Sequence, residues 1–391
     1  MKRVMAKALG RVARRWTMLG LSAMATLSLG VAADAASAAP KAKPAPVHAR
    51  NVILFLGDAG GIPTLNAAGA YANDRPLSLY IQAMPHIGLS ETSSLNRWVT
   101  DSAAGMTAIV TGAKTRNAML SVVPGQGDAL TPVKTILEYA EERGLSTGAI
   151  TNMPIWDATP AATFAHVAAR SNKDEIFRQM LAPRFGDGPD ILMGKGLKDA
   201  EAVFARAGTR PADAFAKAGY LFGSDPAEIK PTTRRAAILR DDDYAPQPAV
   251  DAAIASLSRN PKGYFLMVEW DMHTDDPLKG LRHAIEMDAL IRHVSGKVGK
   301  DTLILFTADH SFALRMIGGD RARPFADQYA EAAKANPKPE ANTLLNVLDD
   351  HEGEEVLIAA QGPGAEQVRG FMPNTALFGL MMRAYGWTPK P

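Results

Sequence analysis

Hydrophobic positions fall along this chain in short runs of strand length: Val52–Leu56, Ala149–Ile150, Ile191–Met193, Tyr264–Val268, Leu303–Phe306 and Val356–Ala360. Between several of them apolar residues recur at helical spacing, over Val133–Arg143, Leu281–Val298 and Thr375–Tyr385. Strands that are apolar throughout are covered on both faces. Their alternation with helices predicts an α/β fold: a central, mostly parallel β-sheet flanked by helices on both faces. Neither an internal repeat nor a coiled-coil heptad interrupts the pattern. Two stretches read as peripheral excursions from a single domain spanning 51–391. Residues 195–245 are helical in pattern and charged, with Arg234-Arg235 and Asp241-Asp242-Asp243, and residues 320–343 are polar, with Pro337 and Pro339. Solvated surface is the expected place for such charge runs.

The amino terminus breaks this pattern. Residues 1–15 carry six basic residues and no acid, Trp16 to Ala33 is mainly apolar, and Ala36-Ser37-Ala38 fits an A-x-A cleavage site. That order predicts a signal peptide over 1–38, followed by a linker over 39–50. The apolar stretch is at the short limit for a membrane span of ~20 residues, so cleavage is favoured over anchoring. Arg14-Arg15 before Trp16 leaves the twin-arginine and general export routes both open. A periplasmic or secreted protein is expected, without membrane attachment after cleavage.

Charge sharpens this reading. The whole chain has 43 basic and 41 acidic residues. Removing 1–38 leaves 37 and 40, so the apparent basicity belongs to the signal and no nucleic-acid binding is expected. The sequence contains no cysteine, which excludes disulfides, thiolate metal sites and a Cys nucleophile. Any metal must be held by His, Asp, Glu, hydroxyl or backbone oxygen.

Ligands of open α/β sheets bind beyond the carboxyl ends of the strands. After Val52–Leu56 comes Gly57-Asp58-Ala59-Gly60-Gly61. After Tyr264–Val268 comes Glu269-Trp270-Asp271-Met272-His273, and after Leu303–Phe306 comes Thr307-Ala308-Asp309-His310. Before Val356–Ala360 stands Asp349-Asp350-His351-Glu352-Gly353. Singly, Asp58 reads equally as a turn residue and His310 as a core histidine. Together, carboxylates and imidazoles gathered at one sheet edge without thiolate suit zinc, manganese or iron. His48, His86, His166, His283 and His293 stand in no comparable pattern and read as core or surface.

Thr100-Asp101-Ser102-Ala103-Ala104-Gly105-Met106-Thr107-Ala108 reads as the start of a helix of small residues. Asp101 or Ser102 serves there as an N-cap, or Ser102 lies at the positive end of the helix dipole, where anions are favoured. Ser102 is outside G-x-S-x-G, so the hydroxyl would need a metal to become a nucleophile. Trp156-Asp157-Ala158-Thr159-Pro160 is followed by Arg170, a side chain suited to bidentate phosphate recognition.

Five ordered blocks now resemble the alkaline phosphatase family, from Asn51 to about Trp387: Leu56–Gly61, Thr100–Ala108 with Thr111–Thr115, Asp157–Ala161, Thr307–Ser311, and His351–Gly353 leading into Ala359–Pro363. The resemblance implies that Ser102 forms a phosphoserine. It makes Asp58, Asp309 and His310 ligands of the zinc activating Ser102, and His351 with His273 ligands of a second zinc. It gives Thr159 and Glu269 to a magnesium bridged by Asp58, with Asp157 beside it. Arg170 becomes the phosphate clamp, oriented by Asp101. The segment Glu269–Pro277 is shorter than the family's arrangement. Asp271 is the choice for the second imidazole-rich zinc and Asp275 its alternative, while Glu269 is shared between magnesium and zinc readings. Asp271 and His273 would share a face if 268–273 were all strand. The cofactors implied are two Zn2+ and a third, Mg2+, site. The substrates implied are small phosphate monoesters, and monomer and homodimer are both left open. A phosphodiesterase or sulfatase on the same scaffold is the alternative activity.

Overall fold

The computed structural model describes residues 48–127 and 129–388. The expected signal peptide, and the linker up to residue 47, lie outside the described residues. Among the described residues there are fourteen strands: β1 (Asn51–Asp58), β2 (His86–Glu91), β3 (Val122–Pro124), β4 (Leu130–Pro132), β5 (Ser146–Pro154), β6 (Ile191–Lys195), β7 (Leu221–Gly223), β8 (Ala236–Arg240), β9 (Tyr264–Asp271), β10 (Thr302–Thr307), β11 (Ser311–Met316), β12 (Leu345–Glu352), β13 (Val356–Gln361) and β14 (Gly370–Pro373). Ten of them form one sheet in the order β14-β2-β13-β10-β1-β9-β5-β6-β8-β7. All its pairings are parallel except those of β13, which runs against β10 and β2. Two hairpin-like pairs, β3-β4 and β11-β12, stand apart from it.

Every apolar run singled out in the sequence is a strand of this sheet. Along β1 the side chains alternate between two cores: Val52, Leu54 and Leu56 face one, Ile53 and Phe55 the other. The first core is closed by helices Ser102–Thr111, Ile136–Glu142 and Ala376–Ala384, the second by helices Ile62–Asn73, Pro246–Leu257 and Pro277–Lys297. Each fully buried aliphatic or aromatic side chain stabilises this arrangement by about 1.5–3 kcal/mol. The covering of both faces is the α/β architecture that the alternation predicts.

The stretch 195–245 is less peripheral than its composition implies. Its short run Ala236–Arg240 is buried and pairs with β6, and β7 then pairs with β8 to close that end of the sheet. Arg235 lies over the ring of Tyr220 and hydrogen-bonds its hydroxyl, whereas Arg234 and Asp241–Asp243 are exposed as expected. Among the described residues no helix is long and apolar enough to cross a membrane.

Candidate active site

The strand register brings the polar residues together. Asp58 closes β1 directly beside Asp271 of β9, and Glu269 lies between Leu56 of β1 and Thr151 of β5. Asp309 and His310 follow the end of β10, β1's other neighbour. Because β13 runs the opposite way, the chain entering it is at the same edge as the chain leaving the others. That is why His351, on β12 just before β13, reaches this site. Immediately after Asp58 the backbone of Ala59 adopts a left-handed conformation, φ 61°, and its N–H donates to Asp309 Oδ1 at 3.4 Å.

The serine is delivered by the helix Ser102–Thr111. Asp101 caps it, accepting from the Ala104 N–H at 3.0 Å, and Ser102 is its first residue. The small residues permit close approach: a Cβ on Gly105 would be 2.9 Å from the Asp309 carbonyl oxygen. A Cβ on Gly61 would collide with Ser311, so the turn after β1 is held equally tightly. Ser102 Oγ consequently lies 3.5 Å from Asp58 Oδ1 and 3.3 Å from His310 Nε2.

The three histidines are oriented alike. His310 Nδ1 faces the Ser311 carbonyl at 3.1 Å, His351 Nδ1 the Thr100 carbonyl at 3.2 Å, and His273 Nδ1 the Asp271 carboxylate at 2.8 Å. Each Nδ1 is thereby committed, and Nε2 is presented to the cavity, the arrangement typical of metal-ligating histidines. His273 Nε2 and His351 Nε2 approach to 3.4 Å. Ligand atoms of His273, His310 and His351 all lie within 4.8 Å of one another, as do those of Asp58, Asp309 and His310.

Several carboxylates lack the partners their burial requires. Both oxygens of Glu269 and Oδ2 of Asp309 are buried without a hydrogen-bond donor. Burial and the neighbouring Asp58 push Glu269 well above the usual carboxylate range and Asp309 up to about 7. Burial acts on Asp58 too, but His273 and His310 hold it well below that range. Burial would depress His273, yet the Asp271 carboxylate and Asp58 raise it to about 9. His351 is lowered to about 4 by burial and by His310. A divalent cation supplies what the orphaned oxygens lack. The oxygen and imidazole donor set fits one.

Arg170 bridges two carboxylates, with Nη2 2.8 Å from Asp157 Oδ1 and Nη1 3.5 Å from Asp101 Oδ2. The expectation that Asp101 orients it is thus only half of the arrangement, Asp157 being the closer partner. Thr159 Oγ1 donates to Asp58 Oδ2 at 3.4 Å, near the unpartnered Glu269.

In the shortened segment, β9 ends at Asp271, so the extension of the strand to 273 does not occur. Asp271 and His273 are nevertheless adjacent, through the side-chain contact already given and a His273 N–H bond to Asp271 Oδ1 at 3.1 Å. Neither Asp271 nor Asp275 belongs to the two clusters: Asp271 adjoins them through His273, whereas Asp275 is exposed, and Asp276 caps the following helix. The sequence reading missed Asn152, which accepts from the Asp271 N–H at 2.8 Å. It stands at the end of β5, where the strand-end rule applied equally. It also missed Lys279, whose Nζ is 3.4 Å from Asp271 Oδ2. His283, read as core or surface, is corrected: it packs against the Asp271 carbonyl and Asn152, because the helix carrying it begins right behind the site. His166, read as core or surface, is buried in the core.

A family model described as alkaline phosphatase matches residues 49–198 and 230–347. Streptomycin-6-phosphate phosphatase of Streptomyces griseus is 30% identical, the match covering 95% of this chain and 97% of that protein. Alkaline phosphatase of Escherichia coli K12 is 29% identical over 86% of each chain. The fold is similar to the alkaline phosphatase of the Antarctic bacterium TAB5, with a TM-score of 0.73 at 23% identity, covering 88% of this chain and all of that one. The family model spans well over half of the sequence and the relatives nearly all of it: this chain is a phosphatase belonging to the alkaline phosphatase family.

Proposed function

We propose that this protein is an exported phosphate monoester hydrolase working through a phosphoserine on Ser102. The observation that carries the reading is the placing of a helix-terminal hydroxyl 3.3–3.5 Å from His310 and Asp58, beside buried carboxylate oxygens that no protein donor satisfies. Asp58, Asp309 and His310 would hold one zinc, Asp271, His273 and His351 a second, and Asp58, Thr159 and Glu269 a magnesium ion. Bound there, divalent cations lower the pKa of a coordinated hydroxyl and offset charge on a leaving alkoxide.

Ser102 gives its proton to solvent and its oxygen attacks phosphorus, while the bond to the ester oxygen breaks in line with it and the departing alkoxide takes a proton from solvent to leave as the alcohol. Arg170, held by Asp157 and Asp101, pairs with nonbridging oxygens of the phosphoryl group and fixes its orientation. A dianionic monoester offers this guanidinium one charge more than a diester does. Water then cleaves the new oxygen–phosphorus bond, releasing phosphate and restoring the hydroxyl. The basic, apolar and small-residue order of 1–38 supports export.

The test is Ser102→Ala in the full chain. Metal content, measured by elemental analysis, should match wild type, while turnover of an aryl phosphate and acid-trapped phosphoprotein both disappear. Trapped phosphate persisting in the variant would overturn the assignment.

A further inference from the structure

Outside the metal-ligand cluster, one feature of the same cavity remains unused by the mechanism. His273 and His351 line a cavity of about 540 Å³ together with Asn117, Phe312, Asp349 and Asp350. The two aspartates are brought there by an irregularity in the β11-β12 pair. Phe312 faces His351 and Leu314 faces Val347, so the single residue Ala313 is opposite Leu348, Asp349 and Asp350. A bulge of this kind re-aims side chains, and it commonly does so beside active sites. Here it places two exposed carboxylates on the cavity wall. Asn117 adds an Oδ1 that accepts no hydrogen bond. No lysine or arginine lines this cavity among the described residues. Arg170, the cation available to the phosphoryl group, is occupied with Asp157 and Asp101.

We infer that Asp349 and Asp350 are specificity-determining residues that favour phosphate monoesters with a positively charged leaving group. The inference rests on the reading above, with the alcohol portion of the ester lying in the cavity that His273 and His351 line. A phosphoryl group drawn towards Ser102 and Arg170 leaves its alcohol portion facing the wall that Asp349 and Asp350 form, where no lysine or arginine stands among the described residues. There a cation gains Coulomb energy from each carboxylate and an anion loses it.

Two substrates of nearly one shape isolate the charge: choline phosphate, with a quaternary nitrogen, and 3,3-dimethylbutyl phosphate, with carbon in its place. The wild-type protein, metal-loaded, should show a kcat/KM ratio favouring choline phosphate by about five-fold for each carboxylate in contact. Asp349→Asn combined with Asp350→Asn should bring the ratio close to one. Raising salt to about 1 M, where the screening length falls to ~3 Å, should compress the wild-type ratio towards the same value. That titration decides the matter even if the double variant fails to fold. A wild-type ratio near one, or a preference that survives both the double substitution and high salt, would overturn the inference. Hydrolysis of the neutral ester reports separately on the phosphomonoesterase reading. Loss of both esters would sink that reading and this inference with it, whereas indifference between two hydrolysed esters would sink the inference alone.

Discussion

Two buried clusters of carboxylate and imidazole in this molecule have nearly the same composition and opposite character. In the first, His166 Nε2 faces Glu138 Oε1 at 2.7 Å, and the other Glu138 oxygen accepts from the Thr135 N–H at 2.9 Å. His166 Nδ1 faces the Ser121 carbonyl at 2.8 Å. Nearby, Glu141 accepts from the Thr147 hydroxyl and the Gly188 N–H, each at 3.2 Å. Every one of these carboxylate oxygens has a partner supplied by the protein. In the second cluster Asp58 and His310 lie against Ser102, Asp309 joins them and Glu269 stands two residues before Asp271 on the neighbouring strand, and three carboxylate oxygens have none. The contrast separates structure from function better than burial or residue type does. Protein donors complete the first cluster, which holds the helix Ile136–Glu142 in place through a capping box. The second is incomplete without a ligand.

That contrast can be broken by experiment. The largest effect expected is from excess chelator, which should abolish phosphomonoesterase activity and allow its recovery on adding zinc with magnesium. An undiminished rate after exhaustive chelation would contradict the second cluster's role. Next, Asp309→Asn should lower both activity and bound metal, with kcat/KM falling more than the roughly 100-fold typical of substitutions behind a ligand. The readouts are initial rates and elemental analysis.

Glu138→Ala sharpens the other side. Leaving His166 buried without its partner should cost about 3 kcal/mol of stability, seen in denaturant unfolding, while metal equivalents per folded chain stay as in wild type. Smallest is the effect of Glu141→Gln. Burial raises the Glu141 carboxyl from its ordinary 4.5 to about 8 in the folded protein. Between those values the folded state binds the extra proton, so stability falls as pH rises through this window. Gln, which carries no charge, should make little difference at pH 5 and should stabilise the protein at pH 9, where wild type has lost the stability linked to that proton. Melting curves at the two pH values measure the difference.

The sheet was legible because six of its ten strands carry a run of apolar residues, as strands covered on both faces do. β7, β8 and β14 escaped because each is short or embedded among charges, and β2 because its faces are mixed: Ser90 is buried while Ile87 is exposed. The residues at the strand ends were legible by the rule that polar groups beyond parallel strands bind ligands. Asp58, Glu269, Asp271, Asp309 and His310 follow from it directly. His351 obeys the rule only because β13 is reversed, which periodicity does not report. Arg170 was legible through resemblance alone, since its two carboxylate partners lie 13 and 69 residues away in sequence. The bulge at Asp349 and Asp350 depends on the β11-β12 register and leaves no local trace in composition.

If a metal centre completes the second cluster, the unpartnered oxygens of Glu269 and Asp309 belong to it. Elemental analysis of the purified, active, full chain addresses it directly. At least two equivalents of divalent metal per folded chain are expected, zinc foremost, with a marked loss in Asp309→Asn. A fully active phosphatase carrying less than one equivalent would contradict that expectation.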